Sequence, residues 1–236
     1  ISSFRNFLYN KKILPIYSID IPVISIGNLE LGGTGKTPVV LYLAMFLSRN
    51  NFKPGIVSRG YKRTSSGQQL VTDGKKVFLS ADEAGDEPFL LAQNLRNIPI
   101  VVNKNRIAGS RYLKSSFNIN IIILDDAFQH RKINRDIDIL LLNINTPIKS
   151  LFLFPKGLLR ESFNKYKRAD VLLLCDKSIN NNFYDKKFYN ELNVNNKFFG
   201  SFKFVFINTK NNSYFNPDLF DENIFAFCGI GDPQSF

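Results

Sequence analysis

Two pairs of residues in this chain have the types and surroundings for phosphate chemistry. Lys36 and Thr37 close the run GGTGKT, and Asp125 and Asp126 close the run IIILDD. Before the first pair, Val23 to Ile26 is a short apolar run that reads as a buried strand, and Gly27, Gly32, Gly33 and Gly35 make a glycine-rich loop. A helix begins at Lys36. Such a loop can curl its backbone N–H groups inward as an anion nest, and the helix start adds unpaired donors and partial positive charge. Lys36 would reach terminal phosphates as a point charge, and the Thr37 hydroxyl would be a ligand for Mg²⁺. Pro38 suits the first helical turn, where a missing N–H costs little. The strict form of this loop has glycine five residues before Gly35; this chain has Glu30 there, so a tighter variant is expected. Four apolar residues ending on aspartate would deliver a carboxylate beside the loop, where it orients Mg²⁺ directly or through water.

Other residues are candidates on weaker grounds. Asp82, Glu83, Asp86 and Glu87 precede the apolar run Phe89 to Leu95. They either complement the dipole at a helix start or include a general base or metal ligand. Arg59 and Arg63 flank a Gly-Tyr turn that could face phosphate or simply be solvated. His130 is the only histidine. It lies four residues beyond Asp126, placed either for a polar contact in the site or for a structural one.

The elements that must position these residues alternate. Ile56–Val57, Pro99–Val102, Ile119–Leu124, Ile137–Leu142 and Ala169–Leu174 read as strands separated by helices or long turns. Asp73-Gly74 reads as a hairpin turn. The alternation predicts an α/β fold, a P-loop NTPase-like, mostly parallel sheet with helices on both faces. Ligands of such sheets bind at the carboxyl ends of the strands, where the loops above lie. Residues 178–197 are rich in Asn and Lys and read as a boundary. The expected domains are residues 1–178, a P-loop nucleotide-binding unit, and residues 179–236. The second would hold a linker hairpin (Phe202–Asn208 with Ser213–Phe215) and the strand Ile224–Cys228, the start of a second α/β lobe cut at Phe236.

The chain has 236 residues, 44% of them hydrophobic, with 23 Phe and no Trp. Length and composition fit one large domain or slightly more. Lys and Arg exceed Asp and Glu by 31 to 20, a net charge of +11, which favours an anionic partner. No recognised nucleic-acid module accompanies that charge. Cys175 and Cys228 sit in apolar runs and read as buried thiols in a reducing compartment. No apolar run is long enough to span a bilayer, and no cleavable leader is expected. At the N-terminus, Phe4, Phe7 and Leu8 share a helical face flanked by Arg5, Lys11 and Lys12. This helix could lie on an anionic bilayer or pack on the domain.

The motifs GNLxxGGTGKTP, SRGYKR, AGDEP, NKNRIAG, DDAFQHRKxxRD, FPKGLLRE and GIGDPxxF, in that order, resemble the tetraacyldisaccharide 4′-kinase family, the lipid A 4′-kinases of Gram-negative bacteria. The resemblance covers nearly the whole chain. It implies ATP- and Mg²⁺-dependent phosphorylation of the 4′-hydroxyl of an acylated glucosamine disaccharide 1-phosphate, by a peripheral enzyme on the cytoplasmic face of the inner membrane. No nucleic-acid partner is implied. Carried over, the nucleotide loop is Gly32, Gly33, Thr34, Gly35, Lys36 and Thr37. The implied metal ligands are Thr37 with Asp125 or Asp126. The implied catalytic set is Lys36, Asp86 as general base, Asp126 and His130, with Arg59, Glu87, Arg106 and Gln129 as substrate-side candidates. The family often has glycine after the two aspartates, where this chain has Ala127. A P-loop switch that hydrolyses nucleotide without a small-molecule acceptor is the alternative; against it, Cys175-Asp176-Lys177 is only a poor echo of a guanine-reading motif.

Overall fold

A computed structural model describes residues 2–177, 186–201, 206–208 and 213–215. The strands are β1 (Val23–Asn28), β2 (Pro54–Ser58), β3 (Gln69–Thr72), β4 (Ile100–Val102), β5 (Ile121–Asp125), β6 (Ile137–Asn143), β7 (Val171–Asp176) and β8 (Asn196–Ser201). They form one sheet in the order β3-β4-β2-β5-β1-β6-β7-β8. All neighbours pair in parallel except β3, which runs antiparallel on β4. Every residue of β1, β2, β4 and β5 is buried, which is why these strands read as unbroken apolar runs.

Alternate residues of each strand feed two faces. Ile24, Ile26, Ile56, Ile100, Val102, Ile121 and Ile123 pack under the helices α2 (Lys36–Arg49) and α4 (Asp86–Asn94), with Val40, Ala44, Leu91 and Ala92. On the opposite face, Val57, Val101, Ile122 and Leu124 meet Ile107 and Leu113 of α5 (Arg106–Ser116). Beside them Leu140, Leu142, Leu172 and Leu174 meet Leu29, Phe128, Tyr166 and Tyr189. The parallel sheet with helices on both faces is thus the predicted one. Parallel order places the ends of β1, β2, β5, β6 and β7 along one edge.

Some local readings change. The acidic run does not open a single helix. Ser80 and Glu83 form a capping box on the short helix α3 (Ala81–Ala84), and Gly85, at φ 91°, breaks it from α4. The side chain of Asp73 accepts from the N–H groups of Lys75 and Lys76, and Gly74 takes φ 91°, making the expected turn. The sheet also continues past residue 178. Strand β8 pairs along β7, and Tyr189 of the helix α6 (Lys186–Asn190) joins the hydrophobic cluster beside β6 and β7. Mostly exposed on both faces, β8 carries polar and aromatic residues without the apolar alternation that marks a half-buried strand. Phe206–Asn208 and Ser213–Phe215 pair antiparallel, as the hairpin reading expects. The predicted strand Ile224–Cys228 and the turn after it lie outside the described residues. Cys175 is buried, and burial pushes its thiol up to about 12. Among the described residues no helix is long and apolar enough to cross a membrane.

One close approach ties the core to the site. A Cβ on Gly27 in β1 would stand 2.7 Å from both the Cβ and the backbone nitrogen of Phe128. Gly27→Ala is therefore expected to lower the urea midpoint of unfolding by the equivalent of about 1–3 kcal/mol, the usual cost of overpacking. An unchanged midpoint would show that the Phe128 turn yields freely.

Candidate active site

The loop from Leu31 to Gly35 joins β1 to α2. Gly32 and Gly35 adopt φ 111° and 83°, left-handed values that a side chain would oppose. Gly35 is the residue before α2, and no side chain caps that helix. The first-turn N–H groups, which have no intrahelical acceptor, therefore form an anion-binding end. Thr34 Oγ1 is buried and has no hydrogen-bond partner among the described residues. Glu30, standing where the strict pattern has glycine, turns its side chain into the protein. Its carboxylate accepts from Thr146 Oγ1 at 2.6 Å and from the Asn143 N–H at 3.2 Å, while its backbone pairs with Leu159. Burial pushes its carboxyl up. The start of the loop is thus anchored to the end of β6. The carbonyl of Gly33 also accepts from Lys177 Nζ.

Lys36, 7% exposed, points its ammonium at Asp126 Oδ1, 3.6 Å away. Arg160 Nη1 donates to both oxygens of Asp126 at 2.9 Å. Burial opposes ionisation of Asp126, but Lys36 and Arg160 outweigh it and hold the carboxyl below its ordinary range. Asp126 also sits at φ 48°. The left-handed residue of this turn is therefore Asp126 and not Ala127, and the methyl group of Ala127 meets no backbone conflict.

Asp125 ends β5, 1% exposed. Its Oδ2 accepts from Ser58 Oγ at 2.7 Å, and its Oδ1 has no partner among the described residues. Burial raises its carboxyl, and neighbouring Asp126 raises it further, against Ser58 and Arg106. An orphaned carboxylate oxygen beside Asp126, with the Thr37 hydroxyl at the loop, suits the hard oxygen donors that Mg²⁺ takes. Among the described residues no group of three or more His, Cys, Asp or Glu could hold a metal alone.

Arg106 and Gln129 are fastened to backbone. Arg106 is 2% exposed and donates to the carbonyls of Asn103 and Asp125 at 2.8 Å. Burial lowers it to about 10, with Asp125 and Asp126 acting the other way. It supports the carboxylate strand from beneath. Gln129 donates to the Asn28 carbonyl at 2.7 Å, tying the aspartate turn to the end of β1. Arg59 is exposed at the end of β2, near enough for its charge to act on Arg106. Asp86 and Glu87 occupy the first turn of α4, where Asp86 is exposed. Desolvation raises the Glu87 carboxyl, and Asp125 raises it further, against the pull of Lys36. The two glycines behind them lie face to face, since a Cβ on Gly85 would come within 2.9 Å of the Tyr61 carbonyl and one on Gly60 within 2.9 Å of the Ala84 carbonyl. This contact holds the SRGY turn against the acidic helix start.

The fold thus brings Lys36, Asp125, Asp126 and Glu87 within electrostatic reach of one another, and Asp86 precedes Glu87 at the start of α4. The sequence reading did not single out Arg160 or Ser58. Arg160 lies in the FPKGLLRE motif, whose cations were its one visible signal. Ser58 ends an apolar strand and carries no signal.

His130 is partly buried, and its Nε2 has no partner among the described residues. Burial, reinforced by Arg106, Arg135, Arg5 and Lys132, lowers it from 6.5 to about 4. It is neutral at pH 7, able to accept or donate one hydrogen bond but carrying no charge. The unfolded imidazole takes its proton near 6.5, so between about 6.5 and about 4 the unfolded chain binds more protons and stability falls as pH falls. His130→Asn removes that share, and its melting temperature is expected to fall less steeply than wild type across that window. Equal slopes would mean that the imidazole titrates normally.

The geometry can be set beside known proteins. The model of the family described as LpxK, Tetraacyldisaccharide-1-P 4'-kinase, matches residues 1–236. The chain is similar to a tetraacyldisaccharide 4'-kinase of Pelodictyon phaeoclathratiforme, 42% identical over 177 residues, which are 74% of this chain and 50% of that protein. It is 34% identical over 244 residues to the one from Desulfotalea psychrophila, covering 100% of this chain and 69% of the relative. A crystal structure of LpxK from Aquifex aeolicus in complex with ATP superposes with a TM-score of 0.70 at 39% identity, covering 83% of this chain and 58% of that one. The chain spans about half the length of several relatives it matches. With the loop, the paired aspartates and the acidic helix start in the order its motifs require, this chain belongs to the tetraacyldisaccharide 4′-kinase family.

Proposed function

We propose that this chain forms the nucleotide-binding part of an ATP-dependent lipid kinase that phosphorylates the 4′-hydroxyl of a tetraacyldisaccharide 1-phosphate. The observation that carries the reading is the convergence of Lys36 and Arg160 on Asp126 beside an uncapped helix N-terminus. Phosphoryl transfer needs little covalent chemistry from a protein and much positioning and charge stabilisation. The Leu31–Gly35 loop and the start of α2 receive the phosphate oxygens. Lys36 places its charge on the terminal phosphates, with Asp126 and Arg160 fixing its direction. Thr37, Asp125 and Asp126 are the residues that would hold Mg²⁺, which when bound neutralises charge on the phosphates. Asp86, exposed at the start of α4, accepts the proton of the attacking sugar hydroxyl. Glu87 is the acid next to it, and Arg59 meets the substrate phosphate from the neighbouring turn.

The acceptor is a lipid, and the surface suits one. Phe4 and Phe7 are exposed on the N-terminal helix, as are Phe152, Leu153, Phe154 and Leu158 on the loop that carries Arg160. Lys11 and Lys156 stand over the rings of Phe7 and Phe152. Apolar side chains framed by cations are what a helix lying on an anionic membrane presents. This supports a peripheral position on the cytoplasmic face of the inner membrane. The net charge is accounted for by lipid and phosphate, with no nucleic acid needed.

The test is transfer of labelled γ-phosphate from ATP to tetraacyldisaccharide 1-phosphate in detergent micelles by the full-length protein. A labelled lipid that disappears with Lys36→Ala, at unchanged melting temperature, is the expected result. Acceptor-independent hydrolysis without a lipid product would favour a switch-type NTPase instead. Asp86→Asn is expected to lower kcat about 10²–10⁴-fold, the usual worth of a general base, with ATP affinity little changed. Loss of ATP binding with normal chemistry would make Asp86 a ligand-holding residue.

A further inference from the structure

The N-terminal helix α1 (Ser2–Asn10) is held to the protein in an unusual way. A surface helix normally docks through an apolar stripe, yet Phe4 and Phe7 are 67% and 51% exposed, while the polar Asn6 is 2% exposed. The helix contributes no residue to the three hydrophobic clusters. Polar groups fasten it instead. Asn6 Nδ2 donates to Glu161 Oε2 at 2.6 Å. The Asn6 carbonyl accepts from Arg131 Nη1 at 3.1 Å, and Arg5 donates to the Gln129 carbonyl at 3.2 Å. Each contact lands on one of two loops, the turn that contains Asp126 or the loop that contains Arg160.

Glu161 is the centre of this arrangement. It is 1% exposed, paired with Arg168 at 2.8 Å. Arg168 in turn donates to the Phe128 carbonyl and stacks on the Phe128 ring at 4.4 Å. Glu161 directly follows Arg160, whose N–H donates to the Leu29 carbonyl at 2.7 Å and whose guanidinium holds Asp126. The residue that grips Asp126 is therefore pinned on one side by the end of β1 and on the other by a buried carboxylate. That carboxylate's second side-chain partner comes from α1.

We infer that Asn6 is a positioning residue for phosphoryl transfer, fixing Glu161 and through it the Arg160–Asp126 pair in front of Lys36. The inference rests on the kinase reading above. Removing the Asn6 amide leaves a buried carboxylate oxygen with one donor fewer, and such a group re-orients to recover a partner. A misplaced Arg160 then costs rate, because small misplacements of groups around a transferring phosphoryl are expensive.

The experiment is a double-mutant cycle in the full-length protein, with labelled phosphate transfer to the acyl-disaccharide in micelles as the readout. Asn6→Ala is expected to lower kcat about tenfold, with KM for the acceptor within about twofold. In an Arg160→Ala background the same change is expected to cost less than about twofold, since coupled residues are not additive. Asn6→Ser, whose hydroxyl is too short to take the place of the amide, serves as a second variant if the alanine protein folds poorly, and should behave alike. An equal factor in both backgrounds, or a raised acceptor KM at normal kcat, would overturn the inference and leave α1 as an attachment element. Normal transfer by wild type and by both Asn6 variants would overturn it alone. No transfer by wild type would overturn the functional reading and the inference together.

Discussion

A carboxylate held between two cations is the constraint around which the rest is arranged. Asp126 sits on a left-handed residue at the end of the central strand pair, between the ammonium of Lys36 and the guanidinium of Arg160. Its burial makes ionisation costly, and the two cations reverse that cost. A buried charge without such partners would neutralise itself. Each cation depends on a different part of the chain, Lys36 on the glycine loop and Arg160 on the loop following β6. The parallel sheet has to bring the ends of β1, β5 and β6 side by side for the three to meet.

Much of what surrounds that triad is backbone held by side chains. Arg106 grips the carbonyls of Asn103 and Asp125, Gln129 grips that of Asn28, and Glu30 takes the N–H of Asn143. These three polar side chains thus fasten the backbone of one strand end or loop to that of another. The chemistry is left to a smaller set at the carboxyl edge, where ligands of parallel sheets are bound.

The sheet was legible because strands buried on both faces are short apolar runs, and loops that bind phosphate need glycine. Both leave marks within a few neighbouring residues. The same locality explains the glycine loop, the paired aspartates and the hairpin turn at Asp73-Gly74. What stayed hidden depends on distance along the chain. Arg160 meets Asp126 across 34 residues, and Asn6 meets Glu161 across 155. Neither pairing has a periodic or compositional signature. The strand β8 was hidden for another reason: an exposed edge with polar and aromatic residues resembles a linker. Arg106 was a substrate-side candidate through the NKNRIAG motif of the resemblance, and a motif does not show which way a side chain is held. The burial of Arg106 and its two backbone carbonyls give its charge a supporting task.

The uncapped start of α2 has a thermodynamic consequence. Most helices satisfy their first N–H groups with a side chain, and replacing such a cap by alanine typically costs about 1 kcal/mol. Here Gly35 supplies no side chain, and the same donors are left open to an anionic ligand. Stability and occupancy are then linked by mass action: a ligand at 100 times its Kd adds about 2.7 kcal/mol to the folded state. If nucleotide occupies that end, as proposed, part of the protein's resistance to unfolding and proteolysis comes from the nucleotide concentration around it.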